Sequence, residues 1–146
     1  MRYDVTKPCA NCPFRRDGFI PLHAERVEEI AEGMLSTQGA SFACHKTLKD
    51  DEDGDTVITS DSAHCAGALI FAEKNDNATQ MMRICERLGV YDARKLEPHH
   101  DLVFDDLDEM LEAHAQHPIN RDGRRIRKPQ VSQKNAPRRA TKGRRR

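Results

Sequence analysis

The sequence predicts a helix-rich α+β fold: a small domain of three or four helices with one or two short strands, followed by a disordered basic C-terminal tail. Three observations point there. Apolar residues recur at helical spacing in several short segments, a proline-bracketed loop near the N-terminus carries a Cys-x-x-Cys pair, and charge is sharply segregated along the 146 residues. Residues 118–146 hold twelve Lys or Arg against a single Asp, a net of +11, which leaves −11 on residues 1–117 although the whole chain sums to zero. The chain is therefore divided into an acidic body, 1–117, and a basic tail, 118–146. With 37% hydrophobic residues, 33% charged residues and no Trp, the body has material for only a thin core.

Taken in order, Pro8 and Pro13 hold Cys9 and Cys12 in a loop, since proline lacks a backbone donor and biases the preceding residue away from helix. Val27, Ile30, Ala31 and Met34 share one face of a helix over about 21–35, with Glu25, Glu28, Glu29 and Glu32 on the solvated side. Ser41 to Cys44 reads as a short extended stretch. The acids of 50–55 resemble a calcium loop, but with Gly54 in the sixth place the first and twelfth fall on Lys49 and Ser60, where an EF-hand needs acids. A solvated turn leading to a short strand at Thr56–Thr59 is expected instead.

Ala66, Ala68, Leu69, Ile70, Phe71 and Ala72 are apolar nearly all round, which predicts a buried helix between Ser62 and Asp76 with Cys65 near its start and Gly67 loosening its first turn. Asn77 reads as the cap of the next helix, whose stripe of Met81, Ile84, Cys85 and Leu88 faces inward and which Gly89 stops. A last helix runs from about Leu102 to Gln116, with Phe104, Leu107, Met110 and Leu111 inward, and Pro118 ends the body. Beyond it, Pro129, Pro137, polar spacers and clustered arginine show no apolar period.

Cys9, Cys12, Cys44 and Cys65 are the candidate metal ligands. Two cysteines separated by two residues reach one ion from a tight turn, and Cys44 and Cys65, each beside a histidine, supply the two remaining thiolates of a four-coordinate site. His45 and His64 are read as neighbours of the site, because adjacent residues rarely both reach one tetrahedral centre. The donor set fits a structural zinc ion. A [4Fe-4S] cluster is the alternative, since the Cys12-Pro13 step resembles ferredoxin ligand runs and the spacing departs from paired Cys-x-x-Cys knuckles. Cys85 reads as a core residue on its helix stripe. A redox role for Cys9 and Cys12 is disfavoured by Pro13 and by the missing βαβ pattern.

The string Lys-Pro-Cys-Ala-Asn-Cys-Pro-Phe-Arg-Arg at 7–16, the Cys44-His45-Lys46-Thr47 step and the Cys65-Ala66-Gly67 step resemble a family of small uncharacterised proteins of actinobacteria and their phages. The resemblance covers residues 7 to 72. It implies that the four cysteines act as one site and that the chain has an actinobacterial or phage origin; it implies no reaction.

Other chemistry is thin. His99-His100-Asp101 sits in a loop, and His114 and His117 are read as dipole-favoured residues at a helix C-terminus. No zinc-protease string, phosphate-cradling loop or serine elbow occurs, so no catalytic residues are expected. The tail is the stronger functional feature. Arg124, Arg125, Arg127, Lys128, Arg138, Arg139, Arg144, Arg145 and Arg146 are candidate phosphate contacts for sequence-independent nucleic-acid binding, and the absence of aromatics favours duplex or structured backbone. The tail could equally neutralise the acidic body.

The expected function is a non-enzymatic accessory protein. Its metal-stapled domain would contact a protein partner, and its arm would contact nucleic acid. The alternative is an iron-sulfur sensor or enzyme. No apolar run approaches the ~20 residues of a membrane span and no signal-peptide pattern opens the chain, so a cytoplasmic location is expected, the host cytoplasm if phage-encoded.

Overall fold

A computed structural model describes residues 1–36, 41–117 and 119. The fold is helix-rich α+β. Four α-helices occur among the described residues, α1 (Ala24–Leu35), α2 (Ala66–Lys74), α3 (Gln80–Arg87) and α4 (Leu107–Ala115), with one antiparallel pair of strands, β1 (Lys49–Asp50) and β2 (Thr56–Val57). Three 3-10 turns, His45–Thr47, Ala93–Lys95 and Glu97–Leu102, complete the order. The basic tail and its nine candidate phosphate contacts lie outside the described residues. Among the described residues no helix is long and apolar enough to cross a membrane.

The core forms around α2, whose residues from Ala66 through Ala72 are all buried, as its all-round apolar sequence predicts. α1 lays Val27, Ile30, Ala31 and Met34 toward it, α4 contributes Met110, and Phe14 from the cysteine loop lies between Phe42 and Phe71. Lys74, in the last turn of α2, donates to the carbonyls of His100 and Val103 and pairs with Asp105. That cation ends the central helix and fastens the segment leading to α4. The 50–55 acids make the β1–β2 turn, where Asp51 Oδ1 accepts from the N–H groups of Asp53 and Asp55, and Gly54 takes φ +84°.

Two sequence expectations are corrected. Asn77 does not cap α3: its amide donates to the Met34 carbonyl at the end of α1, and Thr79 is the N-cap, accepting from Met82 N–H. The face of α3 is also turned. Met82 is the buried residue, Cys85 is half-buried, and Met81 and Leu88 are 57% and 71% exposed. The apolar period of the segment fits a helix in either rotation, and the Met82 contacts select the other one. Met81, Ile84, Leu88 and Val90 are thereby left at the surface.

Candidate functional site: a buried sulfur pair

The cysteine loop is built from consecutive tight turns. Cys12 N–H donates to the Cys9 carbonyl, Arg15 N–H donates to the Cys12 carbonyl, and the Phe14 side chain anchors the loop in the core. The loop is held from outside by Phe104 N–H donating to the Phe14 carbonyl and Arg16 N–H to the Leu102 carbonyl.

Cys44 and Cys65 arrive on a matched pair of segments. Ala43 and His64 form an antiparallel bridge; Cys44 N–H donates to the Ala63 carbonyl, and Cys65 N–H to the Phe42 carbonyl, both at 2.8 Å. Each cysteine then caps a helical turn, Cys44 that of His45–Thr47 and Cys65 that of α2. Thr47 locks the two segments together, since its hydroxyl donates to the Cys44 carbonyl and accepts from Ala63 N–H. The motif steps Cys-His-Lys-Thr and Cys-Ala-Gly thus have structural reasons beyond the sulfurs.

At the centre, Cys12 Sγ and Cys65 Sγ stand 3.5 Å apart, both buried and both free thiols. Gly67 makes this approach possible, because a Cβ there would sit 2.4 Å from Cys12 Sγ and 3.1 Å from Phe14 Cβ. The sequence suggested that Gly67 merely loosens the helix; its role is space. Cys44 interacts electrostatically with Cys65 and with Cys9, and Cys12 with Cys9. Cys9 Sγ lies 3.7 Å from His45 Nε2. Among the described residues, no three His, Cys, Asp or Glu side chains form a ready-made metal cage.

Nearby backbone N–H groups act on three of the thiols, Phe14 on Cys12, Lys46 and Thr47 on Cys44, and Gly67 and Ala68 on Cys65, although neither N-cap cysteine, Cys44 or Cys65, closes a side-chain capping hydrogen bond. Such donors favour thiolate over thiol. Within the buried pair the Cys12 thiol is pushed well up, first by its hydrogen bond to Cys65 and then by burial. Cys65 is held below its usual value by the same bond, assisted by the α2 N–H groups. Burial is the largest influence on Cys44 and raises it.

The histidines divide by environment. His114, read from sequence as a helix-end residue, is buried on α4, where Nε2 lies 2.9 Å from the Pro13 carbonyl and Nδ1 accepts from Leu22 N–H at 3.1 Å. Those partners require the neutral Nε2–H tautomer, and burial lowers its pKa. It braces the residue next to Cys12. His64 stacks on Tyr3 at 4.1 Å, and burial, with the N-terminal amine, lowers it to about 4. His45 is lowered by burial and by Lys46. His99 and His100 lie in the 3-10 turn Glu97–Leu102, and the ring of His117 meets Phe19 edge-on.

An acid-lability follows. An unfolded histidine takes up a proton below about pH 6.5, whereas folded His64 does so only near 4 and folded His114 resists protonation. Their contribution is complete above about pH 6.5 and is lost progressively as pH falls toward 4. Thermal melts by circular dichroism at stepped pH should show Tm dropping through that window; a constant Tm contradicts the neutral assignments.

Fold and site together define a small helix-rich α+β protein with one buried sulfur pair, Cys12 and Cys65, at the meeting of the cysteine loop and α2. The chain belongs to DUF6283, a family of unknown function, whose model matches residues 4–133. The match extends well beyond the 7–72 region that carries the cysteine motifs, and into the start of the basic segment. Neither a curated protein nor a solved structure matches the chain.

Proposed function

We propose that this protein is a non-enzymatic accessory module in which Cys9, Cys12, Cys44 and Cys65 hold one zinc ion and the basic arm contacts nucleic acid. The observation that carries the metal reading is the 3.5 Å separation of Cys12 and Cys65, two residues fifty-three positions apart in sequence. Zn–S bonds of ~2.3 Å arranged tetrahedrally place neighbouring sulfurs about 3.8 Å apart. A disulfide needs about 2.05 Å. A [4Fe-4S] cluster seats each thiolate on a separate iron, which spreads the sulfurs wider than the 3.5 Å between Cys12 and Cys65. The nearby backbone N–H groups lower the Cys12, Cys44 and Cys65 thiols against their burial, which supports thiolate ligation. Binding of the ion would draw Cys9 and Cys44 inward to complete the shell.

The exposed Met81, Ile84, Leu88 and Val90 offer the body an apolar surface of the kind that protein partners cover. We read the cytoplasm, in an actinobacterium or in the host of its phage, as the setting. The arm's role rests on its charge: each phosphate neutralised by Lys or Arg releases counterions. Gel-shift titrations of duplex DNA and RNA, with the whole chain and with residues 118–146 deleted, test it over a salt series. Deletion should abolish most of the affinity and flatten the salt slope; an unchanged affinity and slope would show that the arm does not bind nucleic acid.

A further inference from the structure

We infer that Cys12 and Cys65 form an oxidation site, closed to a disulfide by hydrogen peroxide, and that this closure dismantles the four-thiolate centre. The release of metal, though not the disulfide itself, rests on the zinc reading above. The two sulfurs are already in contact at 3.5 Å and need approach by only about 1.5 Å to reach bonding distance. No other pair of cysteine sulfurs among the described residues is hydrogen-bonded. The absent Cβ at Gly67 leaves the path between them clear. Their burial, 0% and 3% exposed, selects an oxidant scarcely larger than water over bulky disulfides.

The steps balance. Cys65 sulfur attacks one peroxide oxygen; the S–O bond forms, the O–O bond breaks, and hydroxide leaves, becoming water with the proton of the free thiol or, where the sulfur is a metal-bound thiolate, with a proton from solvent. Cys12 sulfur then attacks the sulfur of the resulting sulfenic acid; the S–S bond forms, the S–O bond breaks, and the leaving hydroxide becomes a second water with the Cys12 proton or, from the metal-bound state, one from solvent. Two thiols are oxidised by two electrons and one peroxide is reduced to two waters. A centre deprived of two ligands at once keeps only Cys9 and Cys44, too few for a closed zinc site.

Tryptic mapping tests this cleanly, because Cys9 and Cys12 fall in peptide 3–15, Cys44 in 27–46, Cys65 in 50–74 and Cys85 in 84–87. The whole chain is treated with graded hydrogen peroxide, alkylated without reduction and digested, while released zinc is read with a colorimetric chelator. The expected product joins peptide 3–15, through Cys12, to peptide 50–74, is undone by dithiothreitol, disappears in Cys12→Ser, and appears in step with zinc release. A product closed within 3–15, a product through Cys44, or thiols oxidised with no disulfide overturns the inference. The two readings fail separately: a chain isolated without metal that still gives the 3–15 to 50–74 link upholds the oxidation site and removes the zinc account.

Discussion

Gly67→Ala should lower the Tm of the protein and weaken its hold on metal, although the change is from the poorest ordinary helix former to the best. On propensity alone the substitution in α2 would stabilise by about 1 kcal/mol. Against that, the added methyl would lie 2.4 Å from Cys12 Sγ and 3.1 Å from Phe14 Cβ. Neither neighbour is the free end of a flexible chain: Phe14 and Cys12 are fully buried, and Phe14 is wedged between Phe42 and Phe71. Overpacking of this kind costs about 1–3 kcal/mol, and the strain falls directly on the sulfur pair. With contacts this short the cost falls at the upper end of that range and the net expected loss is about 2 kcal/mol, which at roughly 4–8 °C per kcal/mol is readily measured in a thermal melt. A Tm equal to or above that of the parent, with metal content unchanged, would show that the Cys12–Cys65 approach is not a fixed part of the fold.

With zinc held as proposed, its withdrawal by a strong chelator should have the larger effect, the loss of a cooperative melt for the body. The core is thin, drawn from short helices around α2, and the cysteine loop, the 42–47 segment and the α2 N-terminus meet at the sulfurs. Structural zinc contributes an apparent ~10–16 kcal/mol in small domains. That matches or exceeds the ~5–15 kcal/mol net stability of a typical domain, so the balance should tip on removal. Circular dichroism with and without chelator, followed by zinc addition under reducing conditions, reads both the collapse and its reversal. An identical melt in both states would mean that packing alone holds the fold.

Much of this was legible in the chain. The apolar periods of 24–35 and 66–74 located α1 and α2, because a helix that is amphipathic or apolar all round carries that pattern in consecutive residues. Of the four cysteines singled out by spacing, the structure draws Cys12 and Cys65 into contact. The roles of Gly67, Thr47 and His114 were not legible, since each depends on a partner from elsewhere in the chain: Cys12, Ala63, and Pro13 with Leu22. α3 was misread for a different reason. Its stripe of Met81, Ile84 and Leu88 has the same period whether it faces the core or the solvent, and only the long-range packing of Met82 decides between them.

The central claim, that four cysteines hold one ion, is tested most directly by elemental analysis of the protein purified without oxygen, alongside its visible spectrum. The account predicts a colourless protein with one zinc per chain, lost when Cys12 and Cys65 are replaced by serine. A brown protein carrying about four irons and four inorganic sulfides per chain, bleached by dithionite, or one with no stoichiometric metal, would contradict it.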